Sequence, residues 1–264
     1  MTSIPTPSSS TPASDLAPNG APNFATGFYD RYWDFRSQRG DTLAPNRIKL
    51  RHEQSAAFIR RHLPDPSAAR LLDIGCGDGI MGQILSPLGY DITGADVSPR
   101  ALHIASPHYR ATQLLDLDRS AAPPSWAGSF QGIVCLEVLE HIEKPQENIR
   151  RIADWLAPGG FVALSYPNIF SWRNRWMFMT GRWPHGYCTY DPREHLQVFE
   201  LPVFKQWMTD AGLEIMDLAI TPDLPKFRPL RRAMFGMRGL LSRCMPTLWA
   251  MQIALFARKV DRHD

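Results

Sequence analysis

The sequence predicts an α/β protein built on a doubly wound, mostly parallel sheet of seven strands with helices on both faces. Three observations lead there. From residue 70 onward short apolar runs alternate with helical stretches, the rhythm of βαβ units. The run Leu71-Leu72-Asp73-Ile74-Gly75-Cys76-Gly77-Asp78-Gly79 sets three glycines directly after an apolar strand and ahead of a helix, where glycine lets backbone approach a ligand closely. Two late apolar runs, separated by a long segment, read as an edge pair that closes a mixed sheet.

Taken in order, residues 1–23 are dominated by Pro, Ser, Thr and Ala with Asp15 as the only charged side chain, too polar to offset ordering entropy, and are expected to form a disordered tail. The aromatics Phe28, Tyr29, Tyr32, Trp33 and Phe35 then open the folded part; they suit a lid over a ligand or a helix against the sheet edge. A helical pattern through Ile48, Ala56, Phe58, Ile59 and Leu63 stops at Pro64. Strands are expected at Arg70–Ile74, Ile92–Val97, Gln113–Leu117, Gly132–Leu136, Phe161–Tyr166, Leu213–Ile220 and Gln252–Lys259. With 264 residues, 44% of them hydrophobic, residues 24–264 are read as one domain around one core.

Composition excludes several classes. A formal charge of +3 and a pI near 8.7 are too mild for a nucleic-acid binder, which needs a basic stripe. Cys76, Cys135, Cys188 and Cys244 stand isolated, without the close pairs of a zinc or redox motif, and are expected to be reduced. With no apolar run of about 18 residues and no signal-peptide pattern, a cytoplasmic protein is expected, at most peripheral at a membrane surface.

The glycine loop satisfies a dinucleotide fingerprint by spacing through Gly77, Gly79 and Gly82. Register argues against it: counted from Gly75, the third fingerprint glycine would fall at Ile80, where close helix-to-strand packing wants no side chain. Asp96 ends the second strand, where a carboxylate accepts hydrogen bonds from both hydroxyls of a ribose.

Asp73-Ile74-Gly75-Cys76-Gly77-Asp78-Gly79 resembles the first motif of class I S-adenosylmethionine-dependent methyltransferases, a family with a Rossmann-like fold. Gly94-Ala95-Asp96-Val97-Ser98, Leu115-Asp116-Leu117 and Leu156-Ala157-Pro158-Gly159-Gly160 follow in that family's order, and the resemblance covers roughly residues 70–220. It implies that Gly75, Cys76, Gly77 and Gly79 cradle the methionine part of the cofactor, with Asp73 and Gly75 at its methionine end. It further implies Asp96 and Val97 at the ribose, Asp116 at the adenine amino group, the backbone of Leu117 at the ring, and Glu137 beside the cofactor after the fourth strand. The alternative for Asp116 or Asp118 is a loop carboxylate with no ligand.

Just past the fourth strand, Glu137, Glu140 and His141 stand at i, i+3 and i+4 and would share one face if the segment were helical. Two carboxylates and an imidazole suit a hard divalent ion that acidifies an acceptor hydroxyl. With His195, in Glu194-His195-Leu196-Gln197-Val198-Phe199-Glu200, the pattern resembles metal-assisted O-methyltransferases, among them ubiquinone-pathway and small-RNA 2'-O-methyltransferases. That likeness implies Mg²⁺ or Mn²⁺ on Glu137, Glu140, His141 and His195, with His195, His141 and Glu140 as catalytic candidates. The alternative is two carboxylates favouring a helix N-terminus beside a packed or basic His141.

The insert 168–190 carries Trp172, Trp176, Phe178, Trp183, Tyr187 and Tyr190 with Arg173, Arg175 and Arg182 and no acidic residue. It reads as the acceptor pocket for an apolar or anionic molecule or as a self-packed helical cap. In 225–246, Leu230, Ala233, Met234, Met237, Leu240, Leu241, Cys244 and Met245 fall on one helical arc and Arg231, Arg232, Arg238 and Arg243 on the other. A helix covering the sheet edge is expected, with contact to an anionic membrane as the alternative. The expected activity is methyl transfer to a small-molecule or lipid-linked acceptor, at oxygen if the Glu and His cluster is catalytic. Its rivals are a nicotinamide-dependent oxidoreductase and a non-catalytic protein that keeps a nucleoside pocket.

Overall fold

The computed structural model describes residues 24–42, 48–184, 195–223, 232 and 235–260. The tail expected at 1–23, together with Tyr187, Cys188, Tyr190 and Glu194, lies outside the described residues, as do Leu230, Arg231, Ala233 and Met234.

The chain runs α1 (Phe24–Gln38), α2 (Leu50–His62), β1 (Arg70–Ile74), α3 (Ile80–Leu85), β2 (Asp91–Asp96), α4 (Pro99–Ala105), β3 (Ala111–Leu114), β4 (Phe130–Leu136), α5 (Pro145–Trp155), β5 (Leu156–Pro167), α6 (Trp172–Met179), α7 (Leu201–Asp210), β6 (Leu213–Pro222) and β7 (Ala250–Lys259), with two short helices, Arg238–Cys244 and Pro246–Trp249, before β7. The seven strands form one sheet in the order β3-β2-β1-β4-β5-β7-β6. β1 to β5 pair in parallel, and β7 is antiparallel to β5 and β6. The expected fold class holds, including the late antiparallel pair.

Alternation along the strands explains why the sheet is covered on both faces. Leu72, Ile74, Ile133, Cys135, Val162 and Leu164 pack with Ile149 and Ile152 of α5 and Phe204 and Met208 of α7. Their neighbours Leu71, Val134 and Ala163 pack on the opposite face with Phe58 and Ile59 of α2, Met81 and Leu85 of α3 and Leu102 of α4. Successive side chains point to opposite faces, so near-continuous apolar strands feed two cores. Because β2 lies on one side of β1 and β4 on the other, the strand order reverses there. A crevice opens at the carboxyl ends of those strands.

One strand is displaced from its expected place. β3 covers Ala111–Leu114 rather than Gln113–Leu117, because Asp116 Oδ1 accepts from the Asp118 amide at 3.0 Å and turns the chain away from the ladder. Leu115, Asp116 and Leu117 therefore sit on the loop that follows β3, at the crevice.

Candidate active site

A cavity of about 690 Å³ occupies that crevice, bounded by the loops after β1, β2, β3 and β4 and by α1, α2 and α6. Asp73, Gly75, Cys76, Gly77, Asp96, Val97, Asp116, Leu117, Glu137, Glu140, His141 and His195 all line it. Gly79 does not; it is the αL residue before α3, and it shapes the turn rather than the wall.

Backbone builds the cofactor end. The amides of Gly75 and Cys76 donate to Ala95 O at 2.7 and 3.0 Å. Gly77 N donates to Asp96 Oδ2 and Ser98 N to Asp96 Oδ1, both at 2.9 Å. The loop after β1 is thus tied to the end of β2. Gly75 and Gly77 hold φ of 66° and 53°, and a Cβ on Gly75 would lie 2.2 Å from Val138 Cγ2. On Gly77 it would lie 2.7 Å from the Trp33 ring. Conformation and space both require glycine here.

Burial pushes the Asp96 carboxyl up to about 6, against the pull of its backbone hydrogen bonds. It pushes Asp73 up to about 7, where the Tyr109 hydroxyl donates to Asp73 Oδ2 at 2.5 Å. Burial also raises the Cys76 thiol and keeps it protonated. Asp116 has a buried Oδ2 with no hydrogen bond, 3.5 Å from the Arg119 guanidinium. An acceptor atom left in that state fits an incoming amino group. Asp118 is instead engaged with backbone, accepting from the amides of Glu143 and Lys144 at 2.9 and 3.2 Å. The cradle, the carboxylate at the end of β2 and the Asp116 oxygen that lacks a hydrogen bond together fit S-adenosylmethionine.

α1 lies over this end as a lid rather than along the sheet edge. Asp30 accepts from Ser98 Oγ and from the Arg100 amide, the latter at 3.1 Å, and Asp34 pairs with Arg100 at 2.7 Å. Trp33 then covers Gly77, and Tyr29 meets His141 edge to face at 5.9 Å.

The other end is assembled from distant segments. The amides of Leu196 and Gln197 donate to Glu140 O at 2.8 and 3.0 Å, drawing 195–197 onto the turn after β4. The rings of His141 and His195 consequently sit 4.9 Å apart, and one ligand atom from each of Glu140, His141 and His195 lies within 4.8 Å of the others. Glu140 is fully buried, and burial beside His141 holds His195 down at about 4.

Glu137 does not join this group, which corrects the expectation of a shared helical face. It has φ of 58°, alone among described non-glycine residues in the left-handed region, and only Leu139–His141 form a turn of 3-10 helix. Its carboxylate is turned toward β5 and β7, accepting from Ser165 Oγ at 3.0 Å and Gln252 Nε2 at 2.7 Å. Arg51 in turn donates to Gln252 Oε1 at 3.3 Å. Burial raises the Glu137 carboxyl, and the Arg51 charge opposes that rise. Sequence reasoning missed Asp30, Arg51, Tyr109, Ser165 and Gln252, since no spacing links any of them to the motifs. It also missed Asp223, which accepts from Ser171 Oγ at 2.8 Å and pairs with Arg173 at 2.9 Å, fixing the start of α6 at the cavity.

Comparison with known proteins agrees with this geometry. The family model of a methyltransferase domain matches residues 47–218. The chain is 32% identical over 148 residues to the ubiquinone biosynthesis O-methyltransferase of Xanthomonas axonopodis pv. citri (strain 306), a match covering 53% of this chain and 57% of that relative. The chain thus spans little more than half the length of the curated relatives it matches. Among solved structures, magnesium protoporphyrin IX methyltransferase from Synechocystis PCC 6803 with bound SAH superposes with a TM-score of 0.59 at 15% identity, over 89% of this chain and 97% of that one. The cyclase SpnF does so with 0.59 at 21% identity, over 89% and 94%. At such identities the likeness is one of fold, and a cyclase among the neighbours means that fold alone does not choose the reaction. Taken with the glycine cradle and Asp96, the match over residues 47–218 places this chain in the methyltransferase-domain family, among the class I S-adenosylmethionine-dependent methyltransferases.

Proposed function

We propose that this protein transfers a methyl group from S-adenosylmethionine to a hydroxyl of a small-molecule or lipid-linked acceptor. The observation that carries the choice of oxygen is the cluster Glu140, His141 and His195 on the same cavity as the glycine cradle. When bound, the cofactor supplies a methyl group on a positively charged sulfur, a leaving group already activated, so positioning of the acceptor carries much of the catalysis. His195, neutral at physiological pH, accepts the acceptor's hydroxyl proton. Glu140 and His141, held to the segment of His195 through Glu140 O, orient that imidazole. α1 and α6 border the cavity and exclude water.

The same three residues would hold a divalent ion, which would lower the pKa of the acceptor hydroxyl. Two imidazoles with one carboxylate suit Mn²⁺ better than Mg²⁺, which prefers an all-oxygen shell. The donor set therefore favours one of the two ions expected from sequence. The relative named for ubiquinone biosynthesis also supports oxygen as the acceptor atom.

The test is transfer of labelled methyl to phenols with and without a long alkyl tail, beside matched amines, before and after EDTA. Label on the phenol, lost in His195→Ala while cofactor still binds, is the expected result. Label on amines only, or on no acceptor, overturns the reading. Turnover indifferent to EDTA removes the metal and leaves His195 as the base.

A further inference from the structure

Charge is segregated along this chain. Residues 168–190 and 224–249 contain nine Lys and Arg and no Asp or Glu, whereas the rest of the chain has six more acidic than basic residues. Hydrogen bonds bring the described parts of both segments to one corner of the fold, where β6 ends. Trp172 Nε1 donates to Asp223 O at 2.8 Å, Asp223 N donates to Trp249 O at 2.7 Å, and Asn168 Nδ2 donates to both Thr247 O and Ala250 O at 2.8 Å.

This corner leaves large apolar side chains in the open. On and after α6, Trp176 is 62% exposed, Met179 73% and Trp183 53%. The helix Arg238–Cys244 does pack against β6, as a sheet-edge cover would, yet Met237, Leu240 and Met245 remain exposed, Leu240 at 55%. Arg175, Arg182, Arg232 and Arg243, which lie in the same two segments, are exposed as well. A soluble face of this kind would bury its apolar side or interleave acids with its arginines; among the described residues of these two segments the apolar side chains named above stay exposed, and the acid that meets an arginine at the corner is the buried Asp223, paired with Arg173. The cavity reaches the same corner, since Asn174 and Met177 of α6 and Met251 of β7 line it.

We infer that this face docks on an anionic lipid bilayer, with the tryptophans at headgroup depth, the methionines and Leu240 among the acyl chains and the arginines on lipid phosphates. Charge complementarity selects this occupant, and the mixture of Met, Leu and Trp with Arg fits a layered interface better than a nucleic acid, which rewards stacking rings but not aliphatic side chains. The position of the cavity gives docking a consequence: an acceptor dissolved in the bilayer reaches the site without crossing water. The inference stands apart from the transfer chemistry.

Its test is co-sedimentation of the full chain with vesicles of phosphatidylcholine alone and of phosphatidylcholine mixed with phosphatidylglycerol, at low and high salt. Retention is expected on the anionic vesicles, weakened by salt. Two double variants of residues away from the cavity, Arg175→Glu with Arg243→Glu and Trp176→Ser with Met179→Ser, are each expected to reduce partitioning at least about tenfold, with binding of S-adenosylhomocysteine unchanged. No retention of wild type, or equal retention of both variants, overturns the inference. So does a dimer in sedimentation analysis that the Trp176 and Met179 variant abolishes, which would give the face to a second copy, or retention of an RNA oligonucleotide in place of vesicles.

Discussion

The two ends of the cavity are built by different means. At the cofactor end the contacts are local: one glycine loop and the end of the neighbouring strand, joined by three backbone-donated hydrogen bonds to Ala95 O and Asp96. At the other end Glu140, His195, Arg51, Gln252 and Asp223 line one cavity although their segments are far apart in sequence, brought there by the adjacency of β4, β5 and β7 and by the two amides that reach Glu140 O. A nucleoside-bearing cofactor is held by a geometry that the sheet's topology supplies, so few residue types will do. Acceptor chemistry is set by side chains that can change without disturbing the sheet, as expected when sites are grafted on a common fold.

This contrast can be broken most directly by separating turnover from cofactor affinity. His195→Ala is expected to lower methyl transfer by about 10²- to 10⁴-fold, the usual worth of a positioned base, with the dissociation constant for S-adenosylhomocysteine unchanged. Loss of both together would show that the two ends are one unit. Gly75→Ala should do the reverse. Its Cβ meets Val138 at 2.2 Å, an overpacking cost of about 1–3 kcal/mol, seen as roughly tenfold or more weaker cofactor binding in calorimetry.

A smaller effect comes from pH. With Asp96 raised to about 6 by burial, cofactor affinity should be constant above pH 7 and decline as pH falls through 6, because a protonated carboxyl loses acceptor capacity toward two hydroxyls. The sign for stability is opposite: a carboxyl whose folded pKa is raised favours the fold below its unfolded value, and that contribution is lost as pH rises through 6. An affinity profile flat to pH 5 would remove Asp96 from the ribose. The smallest expected change is in Gln252→Leu, which takes one hydrogen bond from Glu137 and should cost about 1 kcal/mol of stability, read as a fall in Tm.

Residues 71–79 and Asp96 were legible because glycine after an apolar strand has few other uses, and a carboxylate ending the next strand has a nearby partner in the folded chain. The alternation of strands with helices was legible from the rhythm of apolar runs, whereas the order β3-β2-β1-β4-β5-β7-β6 was not read from it. Glu137 was misplaced because i, i+3 and i+4 spacing implies one face only in a helix, and a backbone at φ of 58° sends that side chain elsewhere. His195 appeared as a motif, but its position beside His141 depends on two amides reaching Glu140 O across 56 to 57 residues, which no local pattern encodes. The apolar arc in 225–246 was visible, whereas the exposure of Met237, Leu240 and Met245 within it was not, since periodicity states which side chains share a side and not what covers them.

Asp96 and the glycine cradle together form the proposed binding site for S-adenosylmethionine in this crevice. It is tested most directly by calorimetric titration of S-adenosylhomocysteine into the wild type, Asp96→Asn and Asp96→Ala, with each variant's Tm recorded because Asp96 also receives Gly77 N and Ser98 N. Saturable one-site binding by the wild type is expected, with a loss of about 100-fold in folded Asp96→Ala, the worth of two hydrogen bonds to a charged group. Folded wild type that does not bind, or a variant that binds as tightly as wild type, would contradict it.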